Sequence, residues 1–204
     1  MFERGLLIAI EAVDKAGKST QANELAKQFV LDGAEVVVIH FPAYDTPSGQ
    51  AIRAILDDVH PLTTSANPYE VQALMTINRY EQQSRIENAL MTGKVVICDR
   101  YLYSSLVYGI SDGVDKQWLE DIQHSIVQPD VHILLDMDMD EYIQRTKAYD
   151  ELDVYESNFA KINAMMELYR TFAKEYGWLV VDGKGAKEDV TRAMYNLIKQ
   201  HFSI

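Results

Sequence analysis

Five short runs that are apolar or β-branched throughout, instead of alternating with polar residues, constrain this chain most. They are Leu6–Ile10, Glu35–Phe41, Val95–Asp99, Val131–Asp136 and Trp178–Asp182. A strand with one wet face alternates, so runs without alternation predict strands covered on both faces, as in a parallel sheet. Segments of helical period separate them: Lys18–Leu31, Ser48–Asp58, Asn67–Thr92, Lys116–Ile126, Glu156–Tyr176 and Lys187–Gln200. Asn67-Pro68 reads as a cap with proline at the first helical position, and Gly33 and Gly93 read as stops. The alternation of strand and helix predicts a doubly wound, three-layer α/β fold, with all 204 residues in a single domain. Two segments depart from the rhythm. Pro42–Pro47 follows a strand and is expected to be a functional loop, and polar Lys147–Val154 a mobile flap. Ligands of open α/β sheets gather at the carboxyl ends of the strands.

Charge narrows the partners. Acidic residues outnumber basic ones, 31 to 19, for a net charge of -12. Such a surface argues against binding nucleic acid or an anionic membrane, which need basic patches. A small phosphorylated ligand needs only a few focused cations and stays open. Cys98 is the only cysteine, so no internal disulfide or cysteine-based zinc site can form. Its place in Val95-Val-Ile-Cys98 makes it a buried, inert thiol. Met1-Phe-Glu-Arg lacks the features of a secretory leader, and no apolar run approaches membrane-spanning length. A cytoplasmic enzyme is the expectation.

The first strand runs into Ala12-Val-Asp-Lys-Ala-Gly17-Lys18-Ser19, and a helix follows. This is the strand–loop–helix setting of a phosphate-binding loop, G-x-x-x-x-G-K-[ST], with alanine at its first glycine. Gly17 lets backbone N–H groups turn toward phosphate oxygens, and the helix N-terminus adds a favourable partial charge. Lys18 is placed to reach β- and γ-phosphates and the Ser19 hydroxyl to ligate Mg²⁺. Ala16, Gly17, Lys18, Ser19 and Thr20 are therefore candidates for holding ATP.

Val95-Val-Ile-Cys-Asp99 has the form of a Walker B element, whose carboxylate organises Mg²⁺. Ile133-Leu-Leu-Asp136 shares that form, but only Asp99 is followed by a permanent cation suited to phosphate, Arg100. A local Asp99–Arg100 ion pair is the plainer reading of that dipeptide. For Asp136 a capping or turn role is expected. Within the long helix, Met75 and Arg79 stand four residues apart and share a face, where an apolar platform beside a guanidinium could hold a base.

Taken in order, these motifs resemble the thymidylate kinase family over nearly the whole chain. The stretch Arg4–Gln21 is similar to that family's first strand, loop and helix start; Phe41-Pro42 to its acceptor loop; Asn78-Arg79-Tyr80-Glu81 to its helix motif. Asp99-Arg100-Tyr101 with Ser104, and Gln128-Pro129-Asp130, also match. The resemblance implies a three-layer P-loop fold with a five-stranded parallel sheet, an acceptor region at about 42–80 and a lid at about 146–156. It implies ATP- and Mg²⁺-dependent phosphorylation of a deoxynucleoside monophosphate, most simply dTMP, by a homodimer. Asp14 resembles the carboxylate beside the acceptor sugar and phosphate, and Lys15 the basic residue that reaches the transferring group. Arg79 is placed at the acceptor base, Arg100 with Ser104 at its phosphate, Phe41 and Tyr108 at the nucleoside. Arg145 resembles the arginine that packs on the adenine, and Tyr155-Glu156 the end of the lid.

Four positions depart from the pattern. Ala12 strains the loop if its φ is positive and costs nothing if it is negative. Tyr44 stands where the family's loop supplies an arginine, Met75 where an aromatic residue stacks on thymine, and Gly109 where threonine or glutamine is usual. The last three lie on the acceptor side. They leave open a kinase for dUMP or a 5-substituted dUMP, and Ala12 with Tyr44 leaves open a nucleotide-binding module without catalysis.

Overall fold

The computed structural model describes residues 4–57, 67–147 and 158–203. Its elements run β1 (Leu6–Glu11), α1 (Lys18–Leu31), β2 (Val36–His40), α2 (Pro47–Leu56), α3 (Pro68–Met91), β3 (Val95–Asp99), α4 (Leu102–Ser111) and α5 (Lys116–Gln123). There follow β4 (Val131–Asp136), α6 (Met139–Thr146), α7 (Phe159–Tyr176), β5 (Leu179–Asp182) and α8 (Lys187–Phe202). The five strands form one sheet in the order β2-β3-β1-β4-β5, parallel at every pairing.

Successive residues of β1 point to opposite faces, and each face has its own core. Leu6, Ile8 and Ile10 join Leu25 and Phe29 of α1, with Met165 of α7 and Met194 of α8. Leu7 and Ala9 join Ile86, Ala89 and Leu90 of α3. The sheet is thus the middle of three layers, as its unalternating strands predict. The expectation of two covered faces fails at the margins: β2 and β5 are only partly buried, because an edge strand lacks a neighbour on one side.

Two helices lie where the sequence offered none. In α4, Leu102, Ser104, Ser105, Leu106, Val107 and Gly109 are all buried, so packing surrounds the helix and no stripe shows its period. The short α6 is capped by Asp138, which accepts from Glu141 N at 2.9 Å. Asp136 does not cap. Both its oxygens accept from Arg170 Nε at 3.1 Å, so its role is an ion pair with α7. The expected flap, Lys147–Val154, lies outside the described residues apart from Lys147, the C-cap of α6, and Tyr155 lies outside them too.

Candidate active site

Parallel register sets the frame. Ile10 of β1 and His40 of β2 both lie opposite Asp99 of β3, so the ends of these three strands lie side by side. The loop leaving β1 takes its positive φ angles at Lys15 (58°) and Gly17 (90°), not at Ala12. The Ala12 methyl therefore strains nothing and packs in the core, while its carbonyl accepts from Arg100 Nη1 at 3.0 Å. Lys15 in the left-handed region costs roughly 1 kcal/mol that a glycine would avoid. Gly17 precedes α1 without any side-chain cap, so the first N–H groups of that helix are uncapped by the protein.

Lys18 folds back over the loop and donates to Val13 O at 2.6 Å. Burial and the repulsion of Arg100 bring its ammonium down to about 8, against the pull of Asp14, Asp99 and Glu11. The Ser19 hydroxyl donates to Asp99 Oδ2, and His40 Nδ1 lies 2.9 Å from the same oxygen. Burial tends to raise the Asp99 carboxyl, but His40, Lys18 and Ser19 hold it below its ordinary value. Its other oxygen, Oδ1, is buried and has no hydrogen-bond partner among the described residues. A hydroxyl beside a half-satisfied anionic carboxylate is a donor set that fits Mg²⁺.

Arg100 takes a left-handed φ of 64°, with its N–H donating to Ile10 O at 2.9 Å. That turn aims the guanidinium away from Asp99 and across to Asp14, with which it pairs. The plainer Asp99–Arg100 pair is thus replaced by one spanning 86 positions of the chain. Tyr108 donates to Asp14 Oδ2 at 2.5 Å and accepts from Arg100 Nη2 at 3.2 Å. Burial opposes ionisation of Asp14, yet Arg100, Lys18 and Tyr108 hold its carboxyl far below the usual range.

Behind this pair lies Glu11, fully buried, which the motifs did not single out. It accepts from Tyr101 N at 3.0 Å and from Ser104 Oγ at 2.6 Å. Burial pushes its carboxyl up, while Ser104, Arg79 and Arg100 draw it down. Arg79 donates through Nη1 to Met75 O and Ser105 Oγ, both at 2.8 Å, and through Nη2 to Tyr101 O at 2.5 Å. Burial lowers it to about 10, so it remains a cation at neutral pH.

Two cavities meet at this centre. Both are lined by Asp14, Phe41, Pro42, Tyr44 and Arg100. One extends over Lys15, Gly17, Lys18, Ser19, Thr20, His40 and Asp99. The other extends over Gln72, Met75, Arg79, Ser104, Ser105 and Tyr108. The structure thus gathers the candidates named from sequence, with three exceptions. Tyr155 lies outside the described residues, Ala16 is buried in the core under the phosphate loop, and Arg145 lines neither cavity. Instead Arg145 spans from Ala16 O (2.9 Å) to Gly183 O (2.6 Å), clamping the back of the phosphate loop, with Nε 2.7 Å from Glu141.

Comparison with known proteins fits this geometry. The thymidylate kinase family model matches residues 10–194. The chain belongs to the thymidylate kinase family. A probable thymidylate kinase of Pyrococcus abyssi is 35% identical, covering 96% of this chain and 97% of its own length. The thymidylate kinase of Plasmodium falciparum is 30% identical, covering 92% and 87%. Among solved structures, that of Candida albicans thymidylate kinase superposes with a TM-score of 0.76 at 28% identity, over 97% of this chain and 92% of that one. Three residues to which the motifs gave no role line or support the cavity over α3. Arg53 holds its guanidinium 4.1 Å from the Tyr44 ring centre. Asn78 ties the loop before α2 to α3. Gln72 shares the face of Met75 and Arg79, a spacing visible in the sequence.

Proposed function

We propose that this chain transfers the γ-phosphoryl group of ATP to dTMP, giving ADP and dTDP. The observation that carries the reading is Arg100, paired with Asp14 on the wall shared by two cavities, one built on the phosphate loop and one on α3. A nucleoside monophosphate is largely dianionic at neutral pH, its second pKa being about 6, so its oxygen is already a nucleophile and no general base is needed. What must be supplied is alignment of two mutually repelling anions and neutralisation of charge on the moving group. Arg100 grips the acceptor phosphate from the shared wall, Asp14 orients Arg100 and the acceptor sugar, and Lys15 and Lys18 meet the donor phosphates. Phe41, Tyr44 and Tyr108 wall the nucleoside, Met75 packs on the base, and Arg79 bonds its edge.

Mg²⁺ would be held by Ser19 and Asp99, where it would supply charge neutralisation at the donor phosphates. The adenine lies toward Arg145. The working unit is a homodimer in the cytoplasm, its interface on the outer face of α3, where Ile77 is 47% and Tyr80 39% exposed. The test is an acceptor panel of dTMP, dUMP, dCMP and dGMP with ATP and Mg²⁺. The expected result is acceptor-dependent ADP formation led by dTMP, lost by at least a hundredfold in Lys18→Ala. Equal rates on purines and pyrimidines, or near-normal activity of Lys18→Ala, would overturn the reading.

A further inference from the structure

Gln72 is 3% exposed and lines the acceptor cavity, yet its side-chain Oε1 has no hydrogen-bond partner among the described residues. An amide oxygen left unpaired in a buried site weakens the structure that contains it, so it points to a partner that arrives with a ligand. It stands three residues before Met75 and seven before Arg79, which puts all three on one stripe of α3. Arg79 has the complementary gap: both terminal nitrogens are engaged by protein oxygens, while its buried Nε has no partner among the described residues.

On the opposite wall the Ser105 oxygen already accepts from Arg79 Nη1. Position 109 is glycine, and a Cβ there would sit 3.2 Å from Gln72 Cγ and 2.8 Å from Leu119 Cδ1. Gln72 therefore fills the space into which a side chain from α4 would reach.

We propose that Gln72 determines base specificity, its Oε1 accepting the ring N3–H of thymine or uracil while Arg79 Nε donates to the neighbouring O4. An imide edge sets a donor beside an acceptor, which matches an acceptor beside a donor on the stripe. Cytosine reverses both groups. It turns a ring lone pair toward Gln72 and an amino group toward the guanidinium, and rotating the amide repairs only the first clash. This assignment rests on the acceptor being a pyrimidine monophosphate, as proposed above.

The experiment compares dTMP with its 3-deaza analogue, in which C–H replaces N3–H and O4 becomes a hydroxyl, on the wild type and on Gln72→Met. The wild type should lose at least about 10-fold in kcat/KM on the analogue, the effect of one buried hydrogen bond or more. Gln72→Met should lose about 10-fold on dTMP with KM for ATP unchanged, and then show a penalty on the analogue at least about fivefold smaller than that of the wild type, because the share due to Gln72 is counted once and the change at O4 is common to both proteins. Gln72→Asn, which draws the amide back, should give the same collapse and serves if Gln72→Met does not fold. Equal wild-type rates on both substrates, or the full penalty retained in the variants, overturns the assignment to Gln72. A wild type inactive on every monophosphate overturns instead the reaction beneath it.

Discussion

Asn78 is the residue whose loss should separate loop positioning from chemistry. Its side chain is fully buried and spends every polar atom on the segment before and into α2. Oδ1 accepts from Ala43 N at 2.7 Å, and Nδ2 donates to Thr46 Oγ1 (2.8 Å), Ser48 Oγ (3.0 Å) and Ala43 O (3.2 Å). In Asn78→Ala the buried Ala43 N–H loses its acceptor, a loss of about 1–3 kcal/mol, and the donor bonds add about 1 kcal/mol more in net terms. A total near 3 kcal/mol leaves a domain of about 5–15 kcal/mol folded. With a urea slope of about 2 kcal/mol/M, the denaturation midpoint should fall by about 1.5 M. Phe41, Pro42 and Tyr44 wall the acceptor from this loop, so KM for dTMP should rise at least tenfold, the equivalent of about 1.4 kcal/mol. Asn78→Asp keeps the acceptor for Ala43 N and should lose about half as much as Asn78→Ala. An unchanged midpoint together with an unchanged KM for dTMP in Asn78→Ala would show that other contacts hold the loop, and the argument would fail.

Other outcomes follow from single contacts. Ala12→Gly should leave kcat unchanged and lower stability by no more than about 1 kcal/mol, since φ there needs no glycine; a gain in turnover would contradict the observed backbone. Arg53→Ala should raise KM for dTMP severalfold and spare KM for ATP, because its guanidinium steadies the ring of Tyr44 in the wall of the proposed acceptor cavity; equal effects on both substrates would refute that. His132 stacks on Trp178 with ring centres 4.9 Å apart, and burial lowers it to about 4 from 6.5. Below pH 6.5 the unfolded chain binds a proton that the folded one refuses, so stability present at pH 7 is lost as pH falls toward 4. The loss is about 2 kcal/mol at pH 5. Urea midpoints at pH 7 and 5 should show a smaller drop in His132→Phe than in the wild type; parallel drops would sink the assignment.

The central layers were legible because burial on both faces writes itself into composition. Leu6–Ile10 and Val95–Asp99 could hardly belong anywhere but the middle of a sheet, and the chain between them has to cross over. The edges were not legible as edges, since β2 keeps the valines of a central strand while lying half in water. Helix α4 stayed hidden for the opposite reason. A helix packed all round shows no stripe, and its two buried serines read as polar interruptions until Ser104 is seen on Glu11 and Ser105 on Arg79.

The donor half of the site was local in sequence, and the acceptor half is not. Gly17, Lys18 and Ser19 act through one turn of backbone, so eight consecutive letters describe them. Asp14 needs Arg100 and Tyr108 to define its charge, and those come from another strand end and the helix after it. Gln72 packs where a Cβ at Gly109 would crowd its Cγ at 3.2 Å. Spacing along α3 could suggest that Gln72, Met75 and Arg79 share a face, but it could not say that the amide oxygen lacks a partner. Satisfaction of hydrogen bonds is a property of the packed chain, and base choice depends on which bonds the packing leaves unmade. That is why the reaction was readable from a motif, while the residue proposed to choose the base emerges only when the buried polar atoms are accounted for one by one.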